Sequence, residues 1–333
     1  MSPSDLFQRL PLGARPRLPG FAGATGWLHS EPLTPDDLRG TVVLVDFWTL
    51  TCINWIRTLP YLRAWAGTYG PSGLVVVGVH TPEFGVEHDV DEVRRAAGDF
   101  GVTYAVAIDN DYAVWNAFGN QYWPAVYLAD ARGRIRHEHF GEGGYDRSEQ
   151  VIRQLLTEAG AIDLPGPIPP VEAHGIEAPA DWDDLRTPET YLGLARAAGF
   201  ASPGGGIFDQ ARVYAVPGHL HLDEWALAGN WTLGREEAVL NQENGRITLQ
   251  FHARDVNLIL APGGDGSPVR FLVRLDGQQP GAAHGADVAE DGSGVVRELR
   301  LYQLLRQSPP IGDRTFEIEF LDAGVAALCF TFG

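Results

Sequence analysis

The chain of 333 residues contains no lysine; all 25 of its basic residues are arginine. That absence excludes Schiff-base chemistry and a phosphate-binding P-loop, both of which need a lysine amine. Basic residues are also outnumbered, 25 against 43 acidic ones, giving a formal charge of −18. A charge of that sign argues against nucleic acid or an anionic membrane surface as the main partner. No run of about 18 apolar residues occurs, so no segment is suited to span a bilayer as a helix. The start, Met1-Ser2-Pro3-Ser4-Asp5-Leu6, lacks a basic stretch followed by an apolar one, so no export signal is expected and the chain as given reads as cytoplasmic. There are only two cysteines, Cys52 and Cys329, too few and too far apart for a disulfide framework. Most telling is the sulfur missing beside Cys52: a dithiol redox site has a second cysteine three residues on, and here that position is Trp55.

What is present is an alternating pattern followed by a different one. From Thr41 to about Gly160 apolar strands and helices alternate: Thr41–Trp48, a helix over Ile53–Tyr69 interrupted by Pro60, Gly73–His80, and a helix marked by Val90, Val93, Ala97 and Phe100. Tyr104–Ile108 and Tyr112–Phe118 continue it. A hairpin of Pro124–Leu128 and Arg134–Phe140 and a helix over Arg147–Glu158 close it. The order predicts an α/β domain with a mixed central sheet. After Phe208 apolar residues recur at every second position, as in Ile247, Leu249 and Phe251 or Phe316, Ile318 and Phe320. Turns at Asn244-Gly245 and Asp276-Gly277 separate the strands, predicting an antiparallel, jelly-roll-like β-sandwich. The expected organisation is an arm over 1–25, an α/β domain over 26–162, a Pro/Gly-rich linker with a short helix near Leu192–Ala198 over 163–206, and the sandwich over 207–333.

Cys52 follows an unbroken apolar strand and precedes a helix. At that junction the unpaired N–H groups and positive dipole end of the helix favour a thiolate. Asp46, inside the apolar strand, must be hydrogen-bonded or hold its proton. Thr49 stands three before Cys52, a spacing shared with thiol peroxidases, which makes peroxide reduction one alternative. Cys329 alternates against Leu328, Phe330 and Phe332 and is a candidate resolving thiol only if it comes near Cys52; otherwise it is a packing residue. The pairs His137 and His139, and His219 and His221, have a spacing that two zinc ligands can use, but no full ligand set accompanies them. No metal or other cofactor is expected.

Several stretches resemble the thioredoxin superfamily, in its TlpA/DipZ branch: Val45-Asp46-Phe47-Trp48, Cys52, Pro60, Gly78-Val79-His80-Thr81-Pro82-Glu83-Phe84 and Gly119-Asn120-Gln121-Tyr122-Trp123-Pro124. Beyond the linker, Thr187–Gly193, Leu227-Ala228-Gly229-Asn230-Trp231 and Phe251-His252-Ala253-Arg254-Asp255 look like the carbohydrate-binding-module-like domain of the same branch. The resemblance implies a thioredoxin-like fold and thiol-disulfide exchange with a protein or low-molecular-weight thiol or disulfide. It places the nucleophile at Cys52, a cis-proline beside it at Pro124 and a buried carboxylate at Asp46. It also implies an extracytoplasmic setting if a leader has been removed. Trp48, Thr49, Thr51, Asn54, Trp55 and Trp123 would surround the thiol, the three tryptophans forming an apolar groove for peptide segments. With Trp55 in place of the resolving cysteine, Cys52 would act alone through a mixed disulfide; the alternative is a non-catalytic binding scaffold. In the second domain Trp225, Trp231 and Tyr302 are the candidates for stacking on a sugar.

Overall fold

The computed structural model describes residues 16–264 and 266–333, so most of the expected arm lies outside the described residues. The chain divides between Glu177 and Ala178 into two compact units. The first is an α/β unit around a sheet with the strand order β1-β4-β3-β2-β5-β6. Its strands are β1 (Gly26–Leu28), β2 (Val42–Trp48), β3 (Leu74–His80), β4 (Ala105–Ile108), β5 (Ala125–Ala129) and β6 (Ile135–Phe140). β2, β3 and β4 run parallel, whereas β1, β5 and β6 pair antiparallel with their neighbours.

The central strand β2, of sequence VVLVDFW, is buried at every position. Such a β-branched run is what a strand covered on both faces requires. Four helices supply the cover: α1 (Ile53–Tyr69), α2 (Val90–Asp99), α3 (Ala113–Phe118) and α4 (Tyr145–Glu158). α1 gives way at Gly70 to a 3-10 turn, Gly70–Ser72, which ends at Gly73 in the left-handed region (φ +102°). α2 begins where the Asp89 side chain accepts from the Asp91 amide, and Asp109 does the same for α3 through the amides of Val114 and Trp115. One face of the sheet holds Val43, Val45, Phe47, Val77, Val79 and Ala107 in a core that Leu18 and Phe21 of the arm also enter. The other face, one residue out of phase, presents Asp46, Trp48, Gly78 and His80, paired across β2 and β3 as Asp46 with Gly78 and Trp48 with His80. Polar groups in the middle of that face are the first sign of a site.

The beginning of the Pro-rich stretch is tied down. The Ile168 amide donates to Glu149 at 2.7 Å, and Arg63 reaches Glu177 at 2.8 Å.

The second unit is all antiparallel. Its strands are β7 (Thr190–Tyr191), β8 (Ala211–Tyr214), β9 (Trp225–Leu233), β10 (Ala238–Leu240), β11 (Gly245–Phe251), β12 (Asp255–Ala261), β13 (Val269–Leu275), β14 (Ser293–Val296), β15 (Arg300–Arg306), β16 (Arg314–Phe320) and β17 (Ala326–Phe332). They follow the path β14-β13-β16-β11-β9-β10-β17-β12-β15, with β7 on β17 and β8 on β9. β9 serves both halves: Trp225–Ala228 pair with β11, and Trp231–Leu233 pair with β10. Between them Gly229 takes φ +95° and passes so close to Gly245 that a Cβ would lie 3.1 Å from its Cα. Only glycine fits that bend. The two halves close over one core in which Phe316 of β16 meets Phe330 of β17 at 5.6 Å and Phe251 stacks on Phe332 at 6.2 Å.

The helix expected near Leu192–Ala198 is instead a single turn. The amides of Leu192, Leu194 and Ala195 are spent on Leu328, Gly234 and Arg235, and a Cβ on Gly193 would meet the Glu236 backbone at 2.2 Å. Backbone groups committed to neighbouring strands are not available for a helix.

Candidate functional site

β2 ends at Trp48, and the chain turns through Thr49–Cys52 before α1 begins. The turn is closed by the Cys52 amide donating to the Thr49 carbonyl at 3.2 Å. Cys52 is the N-cap of α1, with extended backbone (φ −75°, ψ 110°) and its carbonyl accepting from the Ile56 amide. Its side chain is partly exposed, and neither cysteine is in a disulfide. No acidic side chain occupies the first turn of α1, so the helix end keeps its positive character at the thiol. Thr49 and Thr51 are buried beside it, and Asn54 is half-buried, its carbonyl taken by Thr58 at 2.9 Å.

Trp55 and Trp48 are completely buried, which corrects the expectation that they line an open groove. Their rings stack at 4.2 Å and 18° beneath the thiol turn. The Trp55 indole N–H donates to Asp46 Oδ2 at 2.9 Å, while Asp46 Oδ1 has no partner. Trp55 thus does a definite job: it supplies a hydrogen-bond donor to the buried carboxyl group of Asp46. Burial pushes Asp46 up to about 7, the Trp55 hydrogen bond opposing it. His80 lies edge-on to Trp48 at 4.8 Å, and neither of its ring nitrogens pairs with another residue. Burial, helped by the charge of His88, pushes it down to about 3, so this imidazole is neutral.

Pro124 immediately precedes β5, the strand paired antiparallel with β2. The Trp123–Pro124 bond is cis, and the Pro124 carbonyl accepts from the Gly141 amide at 2.8 Å. Trp123 is only half-buried, its N–H donating to the Thr81 carbonyl at 3.0 Å and its ring lying 4.3 Å from that of Trp115. Close by, Glu142 forms an ion pair with Arg57 at 3.2 Å, both side chains nearly buried.

Sequence reasoning missed Glu87. It lies in the 3-10 turn Gly85–His88, is fully buried, and accepts the Thr51 hydroxyl hydrogen bond at 2.6 Å. Burial pushes its carboxyl above the ordinary range, and the Thr51 hydroxyl is the leading contact that opposes this. The available signal was an acid three residues after Phe84 at the start of a turn, the position from which a side chain caps backbone amides.

The remaining predicted residues belong elsewhere. Trp225, Trp231 and Tyr302 are in the sandwich core, at most 1% exposed, with their polar atoms bonded to the carbonyls of Ala198, Ala228 and Glu298. A buried ring offers no face to a sugar, so these three are not a stacking platform. Cys329 is buried in β17, its thiol directed at the Phe330 carbonyl. His137 packs against Ser148, while the rings of His219 and His221 meet at 4.9 Å; among the described residues no three His, Cys, Asp or Glu side chains converge. Nor, among those residues, is any helix long and apolar enough to cross a membrane.

A cysteine capping the helix that follows a central strand, with a cis-proline at the head of the neighbouring strand of a mixed sheet, defines a thioredoxin-like α/β domain with an antiparallel β domain after it. Residues 187–333 match the family described as the thioredoxin-like C-terminal domain. The chain is 39% identical over 259 residues to the protein DipZ of Mycobacterium tuberculosis, covering 75% of this chain and 35% of that one. It is 30% identical over 145 residues to the thiol-disulfide oxidoreductase YkuV of Bacillus subtilis, covering 43% of this chain and 97% of that one. Among solved structures, the solution structure of a thioredoxin-like protein in the oxidized form is 30% identical, with a TM-score of 0.40, over 43% of this chain and 97% of that one. The chain belongs to the thioredoxin-like superfamily, in its TlpA/DipZ branch. It spans about a third of the length of the DipZ relatives.

Proposed function

We propose that the protein is a thiol-disulfide oxidoreductase that works through Cys52 alone. The observation that carries this reading is the combination of a partly exposed thiol at the N-cap of a 17-residue helix with an indole, not a thiol, sealed against Asp46. The helix end favours the thiolate, the form that attacks disulfides. The Cys52 thiolate attacks one sulfur of a bound disulfide across Pro124, forming a mixed disulfide and expelling the other sulfur as a thiolate. Release needs a second thiolate, from a low-molecular-weight thiol or a partner protein, which attacks the substrate's sulfur in that bond and regenerates Cys52. Asp46, bonded to Trp55, takes no part in moving a thiol proton; its role is to hold α1 onto β2. Glu142 and Arg57, whose charges cancel beside Pro124, leave that side of the site without a net charge. The similarity to YkuV, named a thiol-disulfide oxidoreductase, supports the reaction class.

The test is exposure of the intact protein to a small aromatic disulfide, with the adduct located by peptide mass spectrometry. A mixed disulfide at Cys52, absent from Cys52→Ser and removed by excess small thiol, is the expected result. A Cys52 that neither forms the adduct nor alkylates at pH 8 means a binding scaffold instead. Replacing Trp55→Cys is the complementary test: a folded variant should gain dithiol reductase activity towards insulin.

A further inference from the structure

Glu87 uses its two carboxylate oxygens for different purposes. Oε2 accepts the amides of Glu83 at 2.6 Å and Phe84 at 3.0 Å, which caps its own turn. That local task needs one oxygen. The other, Oε1, reaches across 36 positions of sequence to the Thr51 hydroxyl at 2.6 Å. All three donors demand an acceptor, so the arrangement fits an ionised carboxylate, whose hydrogen bonds are stronger than neutral ones. Thr51 is fully buried and immediately precedes the thiol, in a turn that one backbone hydrogen bond closes. The Glu87 hydrogen bond therefore anchors, from outside the turn, the residue that immediately precedes the thiol.

We propose that Glu87 is a positioning residue for the Cys52 thiol: through Thr51 it fixes the turn that delivers Cys52 to the N-cap of α1. This rests on the reading of Cys52 as the reacting group. The loops that follow the neighbouring parallel strands β2 and β3 are thereby joined at one buried carboxylate. A residue that only capped its own turn would need no such link, and the thiol would not sense its loss.

The experiment measures the rate of iodoacetamide labelling at Cys52 in the full chain at fixed pH, with circular dichroism to check folding. Glu87→Ala and Thr51→Val should each slow labelling about tenfold or more, since small displacements of a reacting group cost at least that. Glu87→Ala combined with Thr51→Val should be no slower than Glu87→Ala alone, because Glu87→Ala already breaks the link that Thr51→Val removes. Glu87→Gln should stay close to the wild-type rate: its carbonyl can accept the two amides and its NH2 can donate to Thr51. Thr51→Val leaves both amide bonds of Glu87 intact, so it decides the matter even if Glu87→Ala does not fold. A Thr51→Val variant that labels at the wild-type rate, or single effects that simply multiply in the double variant, overturns the inference. A wild-type Cys52 that does not label at all overturns the proposed function and this inference with it. The first two results leave the proposed function standing.

Discussion

Asp46 and Asp255 both have fully buried side chains on β-strands, one in each unit, yet their surroundings treat them oppositely. Asp46 has a single donor, the Trp55 indole, and burial wins, pushing it up to about 7. Asp255 is also pushed up by burial, but Arg306 and Arg254 hold both its oxygens at 2.8 to 3.2 Å and bring it below the ordinary carboxylate range. The second is a closed structural ion pair, built to stay charged. The first is a carboxyl group left short of partners at the foot of the turn that carries Cys52, and strongly perturbed groups of that kind gather at functional sites. Burial alone therefore does not mark a site; the number and charge of the donors does.

The contrast can be tested where it is strongest. Replacing Asp255→Asn leaves two guanidinium groups without their counter-charge, and should cost the second unit about 3 kcal/mol in urea unfolding. A loss below half of that would mean the arginines are well solvated without it. Replacing Trp55→Phe keeps the stack on Trp48 but leaves Asp46 with no donor, which should cost about 2 kcal/mol at pH 8 and clearly less at pH 5. An equal cost at both pH values would show that the hydrogen bond to Asp46 is not what matters.

The smallest effect is the most diagnostic. Between the ordinary carboxylate value of 3.8 and about 7, folded Asp46 holds a proton that the unfolded chain has released. Its contribution to stability is therefore lost as pH rises through that window. His80, with a value of about 3 against an ordinary 6.5, refuses a proton that the unfolded chain takes, so its contribution is lost as pH falls from 6.5. In wild type the two trends offset each other. Asp46→Asn should remove the first, so that the variant gains melting temperature relative to wild type as pH rises from 4.5 to 7.5. A gain that shrinks with rising pH would contradict the assignment of Asp46 as the perturbed carboxylate.

Much of the fold was legible because periodicity carries it. The all-apolar β2 and the alternation of Ile247, Leu249 and Phe251 mark a doubly covered strand and a sandwich strand. The thiol and the tryptophan standing where a second cysteine would be were legible too, since they lie three residues apart on one segment. What Trp55 does was not: its partner Asp46 sits on another element, and only the packing of α1 on β2 brings them to 2.9 Å. Glu87 escaped for the same reason, its burial depending on Thr51 far back in the chain. The supposed sugar platform failed differently. Trp225, Leu227, Trp231 and Leu233 all occupy odd positions of β9, and that shared parity already placed them on the inner face. The helix near Leu192 was suggested by apolar spacing, but Gly193 lies against the Glu236 backbone and the segment's amides are paired across strands.

The sharing of β9 has a further consequence for how the second unit comes apart. One half cannot peel away without stripping β9 of its pairing to β11 or to β10, and the bend at Gly229 offers no spare slack between them. The strand acts as a common spine. Amide hydrogens along it should exchange with solvent only when the entire unit opens, whereas those of the edge strand β14 escape through local fraying.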